Sequence, residues 1–172
     1  MNQLYGAGDE GWMRGRNPGV RCGWDDPPMG RSHAATAVLL VALATAVAAE
    51  PAMAAGTKIT VSSSEFGRMV WGPKRQAVYA FERDGRKRPR CYGRCAEAWP
   101  PVFTKGKPRG GRGVKRSLLG TARRRDGRRQ VTYAGKPLYF YAHEDRGEVL
   151  CHNVRLNGGL WWVVGRNGQP RP

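Results

Sequence analysis

Tyr79-Ala80-Phe81-Glu82-Arg83-Asp84 is followed by Cys91, by Trp99-Pro100-Pro101 and by Gly106-Lys107-Pro108. Tyr139-Phe140-Tyr141 is followed in the same order by Asp145, Cys151, Trp161-Trp162 and Gly168-Gln169-Pro170. Twelve positions separate Tyr79 from Cys91, and twelve separate Tyr139 from Cys151. From tyrosine to final proline the first copy spans 29 positions and the second 31, so the second carries about two extra residues. An internal duplication accounts for these shared offsets, and a repeat of this kind decides the architecture before single elements are assigned.

The local pattern of each copy is β. Arg68-Met69-Val70-Trp71 runs into Gly72-Pro73-Lys74-Arg75 and then Gln76–Phe81. Two aromatic and β-branched runs about a Gly-Pro turn predict a hairpin. The second copy repeats this with Gln130–Tyr133, Ala134–Pro137 and Leu138–Tyr141. Alternation puts Tyr79 and Phe81 on one face, and likewise Tyr139 and Tyr141. Ser117–Ala122 with the Asp126-Gly127 turn predicts one more strand entering a hairpin, and Trp161–Val164 reads as a closing strand. A short helix is expected around Cys95–Trp99, stopped by Pro100-Pro101. The Gly- and Lys/Arg-rich stretch Thr104–Arg116 reads as an exposed, mobile loop. The fold class is therefore mainly β, with two tandem hairpin-based repeats in one small domain and one or two short helical turns. Repeat 1 is drawn at about 66–108, a linking hairpin at about 114–129 and repeat 2 at about 130–170.

Upstream, Ala34–Ala49 is an uncharged run of 16 residues, short for a membrane span, which needs about 20. It follows Arg31 and ends at Glu50-Pro51, with Ala52-Met53-Ala54 as a small-x-small cleavage pattern. Charge, apolar run and cleavage site in that order are a secretory signal, read at 29–54 with cleavage after Ala54. Residues 1–28, which hold Cys22, show no hydrophobic period; they read as a non-native extension, with translation starting at Met29. The expected mature chain, 55–172, has 118 residues, enough for one modest core. It carries 26 of the 30 Lys+Arg and eight of the 13 acids, a formal charge of +18. Such a field favours anionic partners without naming one. No cysteine stands close enough behind the apolar run for lipidation, so the expectation is a soluble, extracellular or envelope-associated protein with no transmembrane segment once mature.

These residues resemble a bacterial family of predicted lipoproteins, also described as a secreted repeat of unknown function, with a repeated Tyr-x-(Phe/Trp/Tyr)-x-x-Asp motif. Tyr79, Phe81 and Asp84 satisfy the motif. Cys91-Tyr92-Gly93-Arg94-Cys95 with Trp99-Pro100-Pro101 is similar to the family's Cys-x-Gly-x-Cys…Trp-Pro-Pro block. Ser117–Gly120, Gln130–Tyr133 and Gly158–Trp161 resemble its middle and last strand. Coverage runs from about Phe66 to Val164. In the second copy Tyr139 and Tyr141 match, but Glu144 stands where the motif has Asp, with Asp145 one place later. Many members are lipid-anchored, and this chain lacks the cysteine for it. The resemblance implies an envelope location and a repeat fold, and leaves the biochemical role unassigned.

In an oxidising compartment Cys91 and Cys95 read as a disulfide that staples the turn before Trp99, matching the cysteine pair of the family block. Cys151 is then an odd thiol, either reactive or paired with another chain. The competing reading is a metal, haem or redox site built from Cys91, Cys95 and Cys151 with His152 or His143, a set suited to Zn²⁺ or another soft ion. Against it stand the Cys-x-x-x-Cys spacing and the adjacency of Cys151 and His152, whose side chains rarely reach one ion together. No cofactor is predicted. Asp84 and Asp145 follow strands, where Asp commonly caps a turn. No paired carboxylates, nucleophile-base set or phosphate loop is found, which argues against an enzyme. Tyr79, Phe81, Tyr139, Tyr141, Trp99, Trp161 and Trp162 form either a stacking platform or, in a domain this small, the core. The basic runs 86–90, 105–116 and 123–129 suit an anionic envelope polymer or lipid headgroups. Phosphates of nucleic acid attract the same charge, but an exported protein seldom meets them.

Overall fold

The computed structural model describes residues 55–171. The signal sequence at 29–54, its cleavage point at Ala54 and the segment 1–28 with Cys22 lie outside the described residues. Strand β1 (Lys58–Ser64) pairs antiparallel with β2 (Gly67–Trp71), with Val61 opposite Val70 and Ser64 opposite Gly67. Ile59 and Val61 alternate inward while Thr60 and Ser62 stay half-buried, as a strand with one wet face requires. The turn between them is held by the Ser64 hydroxyl, which accepts from Phe66 N (3.1 Å) and donates to Gly67 O (2.9 Å). Gly67 takes φ 78 there, a conformation open to glycine at no steric cost.

The partner of β2 is thus β1, not the Gln76–Phe81 run that the Gly-Pro turn predicted. Pro73–Arg75 forms a 3₁₀ turn, and Lys74 and Arg75 both adopt positive φ (56 and 59), which turns the chain out of the plane of β2. A single bridge, Trp71 to Ala77, remains of the expected hairpin. Strand β3 (Tyr79–Phe81) instead pairs antiparallel with β9 (Gly159–Val163) from the far end of the chain. The predicted helix is α1 (Arg94–Ala98), ended before Pro100-Pro101, neither of which can donate a backbone hydrogen bond.

Strand β4 (Arg109–Gly110) lies parallel to β1, and Gly111 N donates to Ile59 O (2.7 Å) and Val61 N to Arg112 O (2.9 Å). With Thr104 and Pro108 buried, the stretch read as an exposed, mobile loop is tied along the edge of β1. Strands β5 (Leu119–Arg123) and β6 (Arg129–Tyr133) form the hairpin expected around Asp126-Gly127, and β7 (Lys136–Pro137) adds to β6. Strand β8 (Val154–Leu156) pairs with β9. Three three-stranded sheets result, ordered β2-β1-β4, β3-β9-β8 and β5-β6-β7.

The two copies are interlocked rather than stacked end to end. At the centre Tyr79 N donates to Tyr139 O (2.8 Å) and Tyr139 N to Tyr79 O (3.0 Å). Val70 of the first hairpin donates to Val164 O, and Val131 of the second donates to Val102 O, each at 2.8 Å. Tyr79 bridges Val163, and Tyr139 bridges Pro101. The tail of each copy therefore lies on the hairpin of the other, about an approximate two-fold axis between Tyr79 and Tyr139. The β5–β6 hairpin is the counterpart of β1–β2, so it opens the second copy rather than linking the two.

Candidate functional site

The motif residues meet at that axis. The Tyr79 hydroxyl donates to Glu144 Oε1 (2.5 Å) and accepts from Cys151 N (3.3 Å), so the tyrosine of copy one holds the acid of copy two. Conversely, the Asp84 carboxylate of copy one stands beside the Tyr139 hydroxyl of copy two, close enough to influence its ionisation. This second pair is looser, since neither Asp84 Oδ2 nor the Tyr139 hydroxyl closes a full hydrogen bond among the described residues. Each acid also accepts from the backbone six residues on, Asp84 Oδ1 from Arg90 N (2.7 Å) and Glu144 Oε1 from Leu150 N (2.6 Å). The glutamate at the motif's aspartate position thus occupies an equivalent place in the crossed arrangement. Asp145, one residue on, is exposed.

Burial raises the Glu144 carboxyl to about 7, against the lowering effect of Tyr79 and the Leu150 amide. Burial also raises Asp84, to about 6, offset by the Arg90 amide, Tyr139 and the charges of Arg124 and Arg90. Tyr79 and Tyr139 are both pushed up, first by burial and then by the facing acid. These perturbations follow from desolvation of groups that pack a core. Perturbed groups often mark active sites; here Tyr79 faces Glu144 and Tyr139 faces Asp84 within the core.

The aromatics surround this axis and are core. Trp99 and Trp161 stack at 3.9 Å between ring centroids and 3° between planes. Tyr79 meets Trp99 edge-on and Tyr139 meets Trp161 edge-on, each at 5.3 Å, while Phe81 stacks on Trp161 at 4.3 Å. All of these and Tyr141 are buried; only Trp162, packed against the aliphatic cluster, is half-buried.

Cys91 and Cys95 are joined by a disulfide across the start of α1. Arg124, nearly fully buried, donates to Cys91 O (2.6 Å) and Gln130 Oε1 (2.7 Å) and lies over the Tyr92 ring, so it ties the disulfide turn to β6. None of the cysteines among the described residues is free, which removes the reactive-thiol reading of the buried Cys151. His152 Nδ1 accepts from Val163 N (3.2 Å) against the Phe66 ring, and His143 is exposed beside Tyr141. Among the described residues, no group of three or more His, Cys, Asp or Glu side chains gathers where a metal could sit.

The cations lie outside this core. Among the described residues only Arg124 of the Lys and Arg side chains is buried, and two ion pairs form, Arg128–Asp126 (2.6 Å) and Arg155–Glu82 (3.5 Å). A groove of about 870 Å³ runs beside β1, β4 and β5, lined by Lys58, Lys87, Lys107, Arg109, Arg116 and Arg129 and by no acid among the described residues. The basic runs hinted at this charge, but the groove draws on segments far apart in the chain, which run-by-run inspection does not assemble.

No curated protein and no solved structure matches the chain. A family profile described as a secreted repeat of unknown function matches residues 60–103 and 120–165. Those two stretches contain most of both hairpins, both motif tyrosines and both members of the tryptophan stack. The chain belongs to this family of secreted repeats.

Proposed function

We propose that this is an exported, non-catalytic, envelope-associated protein, soluble rather than lipid-anchored, that adheres to anionic polymers outside the cell. The observation that carries this reading is the uncompensated surface charge, with nearly all cations exposed and only two ion pairs among the described residues. Exposed ion pairs contribute little to stability, so this charge is poorly explained as a folding device. A dense field of one sign raises the local concentration of oppositely charged ligands. The family membership supports an extracellular setting. The alternative metal, haem or thiol reading draws no support from the geometry, because Cys91 and Cys95 bond each other and His152 serves a backbone amide.

The test is retention on purified envelope polymer across a salt series. Binding at low ionic strength that falls steeply by about 0.5 M salt is expected, because screening shortens to a few ångströms there. Binding indifferent to salt would exclude electrostatic adhesion.

A further inference from the structure

We propose that the groove beside β1, β4 and β5 is a binding site for a linear phosphate polymer without rings, such as a polyphosphate or polyol-phosphate chain. The inference rests on the adhesion reading and narrows it to one place and one ligand class. Lys58, Lys87, Lys107, Arg109, Arg116 and Arg129 share one concavity of about 870 Å³, and the described lining brings no carboxylate to offset them. Like charges gathered in a concave surface repel one another and focus their field on whatever enters. A polymer with a full negative charge on each unit can meet several of them at once.

The site is partly built in advance. Arg109 Nε donates to Gly56 O (3.1 Å) and an Arg129 terminal nitrogen donates to Lys105 O (2.5 Å), which fixes two guanidinium groups. Ordering them before binding reduces the entropy lost on association. The side chains of Lys58, Lys87, Lys107 and Arg116 make no hydrogen bond or ion pair among the described residues, leaving their charges to a ligand. Two glycines let the stems lie close: a Cβ on Gly110 would come within 3.0 Å of Arg116 Cγ, and one on Gly111 within 2.9 Å of Lys58 Cε.

The remainder of the lining selects the ligand class. Pro108, Leu119, Gly110, Gly120 and Thr121 complete it, and none of the described lining residues is aromatic. Nucleobases bind single-strand grooves by stacking on aromatic side chains, and sugar rings likewise offer flat faces that aromatic rings cover. Without such a platform the groove reads charge alone. Lysine meets phosphate as a point charge and arginine as a bidentate fork, and both are present.

The experiment compares the exported protein with the triple variant Lys87→Gln, Lys107→Gln, Arg116→Gln and with a control triple, Arg68→Gln, Arg83→Gln, Arg94→Gln, of equal charge loss away from the groove. Affinities for inorganic polyphosphate, poly(glycerol phosphate), polygalacturonate and single-stranded DNA are measured over a salt series, after thermal melts verify folding. The groove triple is expected to lose about tenfold or more in affinity for the phosphate polymers, with the log-log salt slope reduced by about 2–3. The control triple is expected to lose no more than about threefold. The two phosphate polymers tell which backbone fits better. Equal losses in both triples would overturn the groove while leaving adhesion intact, and tighter binding of DNA or polygalacturonate would overturn the ligand class. Failure of the unmodified protein to bind any of the four would remove both readings.

Discussion

The hydroxyl of Tyr79 donates to the carboxylate of Glu144 at 2.5 Å, across a sequence separation of 65 residues and from one repeat into the other. Glu144 is buried, and among the described residues its Oε2 has no hydrogen-bond partner and no positive group offsets the burial of its carboxyl. The Asp84 carboxyl at the equivalent place, by contrast, feels the charges of Arg124 and Arg90.

The sign of the pH dependence follows. Glu144 is raised from 4.5 to about 7 in the fold, so its contribution is fully present below about pH 4.5 and is lost as pH rises through about 7. Asp84, raised from 3.8 to about 6, acts in the same direction over a lower window. Glu144→Gln keeps an acceptor for Tyr79 and removes the buried charge. It is expected to stabilise the protein by about 1–3 kcal/mol at pH 8 and to flatten the melting profile between pH 5 and about 7.5. Thermal melts across that range check it, and an unchanged slope would show that Glu144 is not the group responsible.

Tyr79→Phe is expected to cost about 1–3 kcal/mol at pH 8, because it leaves the buried carboxylate with one donor fewer. In the Glu144→Gln background the cost is expected to shrink, giving a coupling of about 0.5–3 kcal/mol in a double-mutant cycle by urea denaturation. Additive effects would mean the bond is incidental.

Because each copy's tail rests on the other's hairpin, a fragment holding residues 55–117 is expected to remain unfolded, and the whole domain to unfold in one transition. Circular dichroism and amide dispersion of the fragment are the measurements. A folded fragment would contradict the interlocked arrangement.

Replacing both Cys91 and Cys95 by alanine is expected to lower stability by about 2 kcal/mol, the scale for closing so short a loop. Without reductant, neither of these two cysteines should accept an alkylating reagent, a point that peptide mapping settles.

Trp99→Leu removes one plate of the central stack and its edge contact with Tyr79, and is expected to cost about 3–5 kcal/mol in chemical denaturation. A loss under about 1 kcal/mol would mean the stack is not central to the core.

The duplication, the helix at α1, the closing strand β9 and the burial of the aromatics were legible because spacing, proline and aromatic content act locally. The partners were not. Tyr79 and Asp84 sit in one motif, and nothing in that motif shows that each reaches into the other copy, since pairing depends on where the strands turn. That turning comes at Lys74 and Arg75, whose positive φ no glycine announces. Strand β1 was overlooked because Ser62-Ser63-Ser64 gives its second half no apolar alternation. The groove was hidden for a related reason, as Lys58, Lys87, Lys107 and Arg129 come from separate segments that only the folded chain assembles.

Severed between its halves, this domain would present the contacts of a two-fold dimer in which each subunit lends its tail and its tyrosine to the other. In such a dimer symmetry would force every substitution to occur twice. Carried on a single chain, the halves are released from that constraint. Asp84 can keep a buried arginine nearby while Glu144 shows none among the described residues. Covalent linkage has turned a self-complementary assembly into one whose two ends are free to specialise.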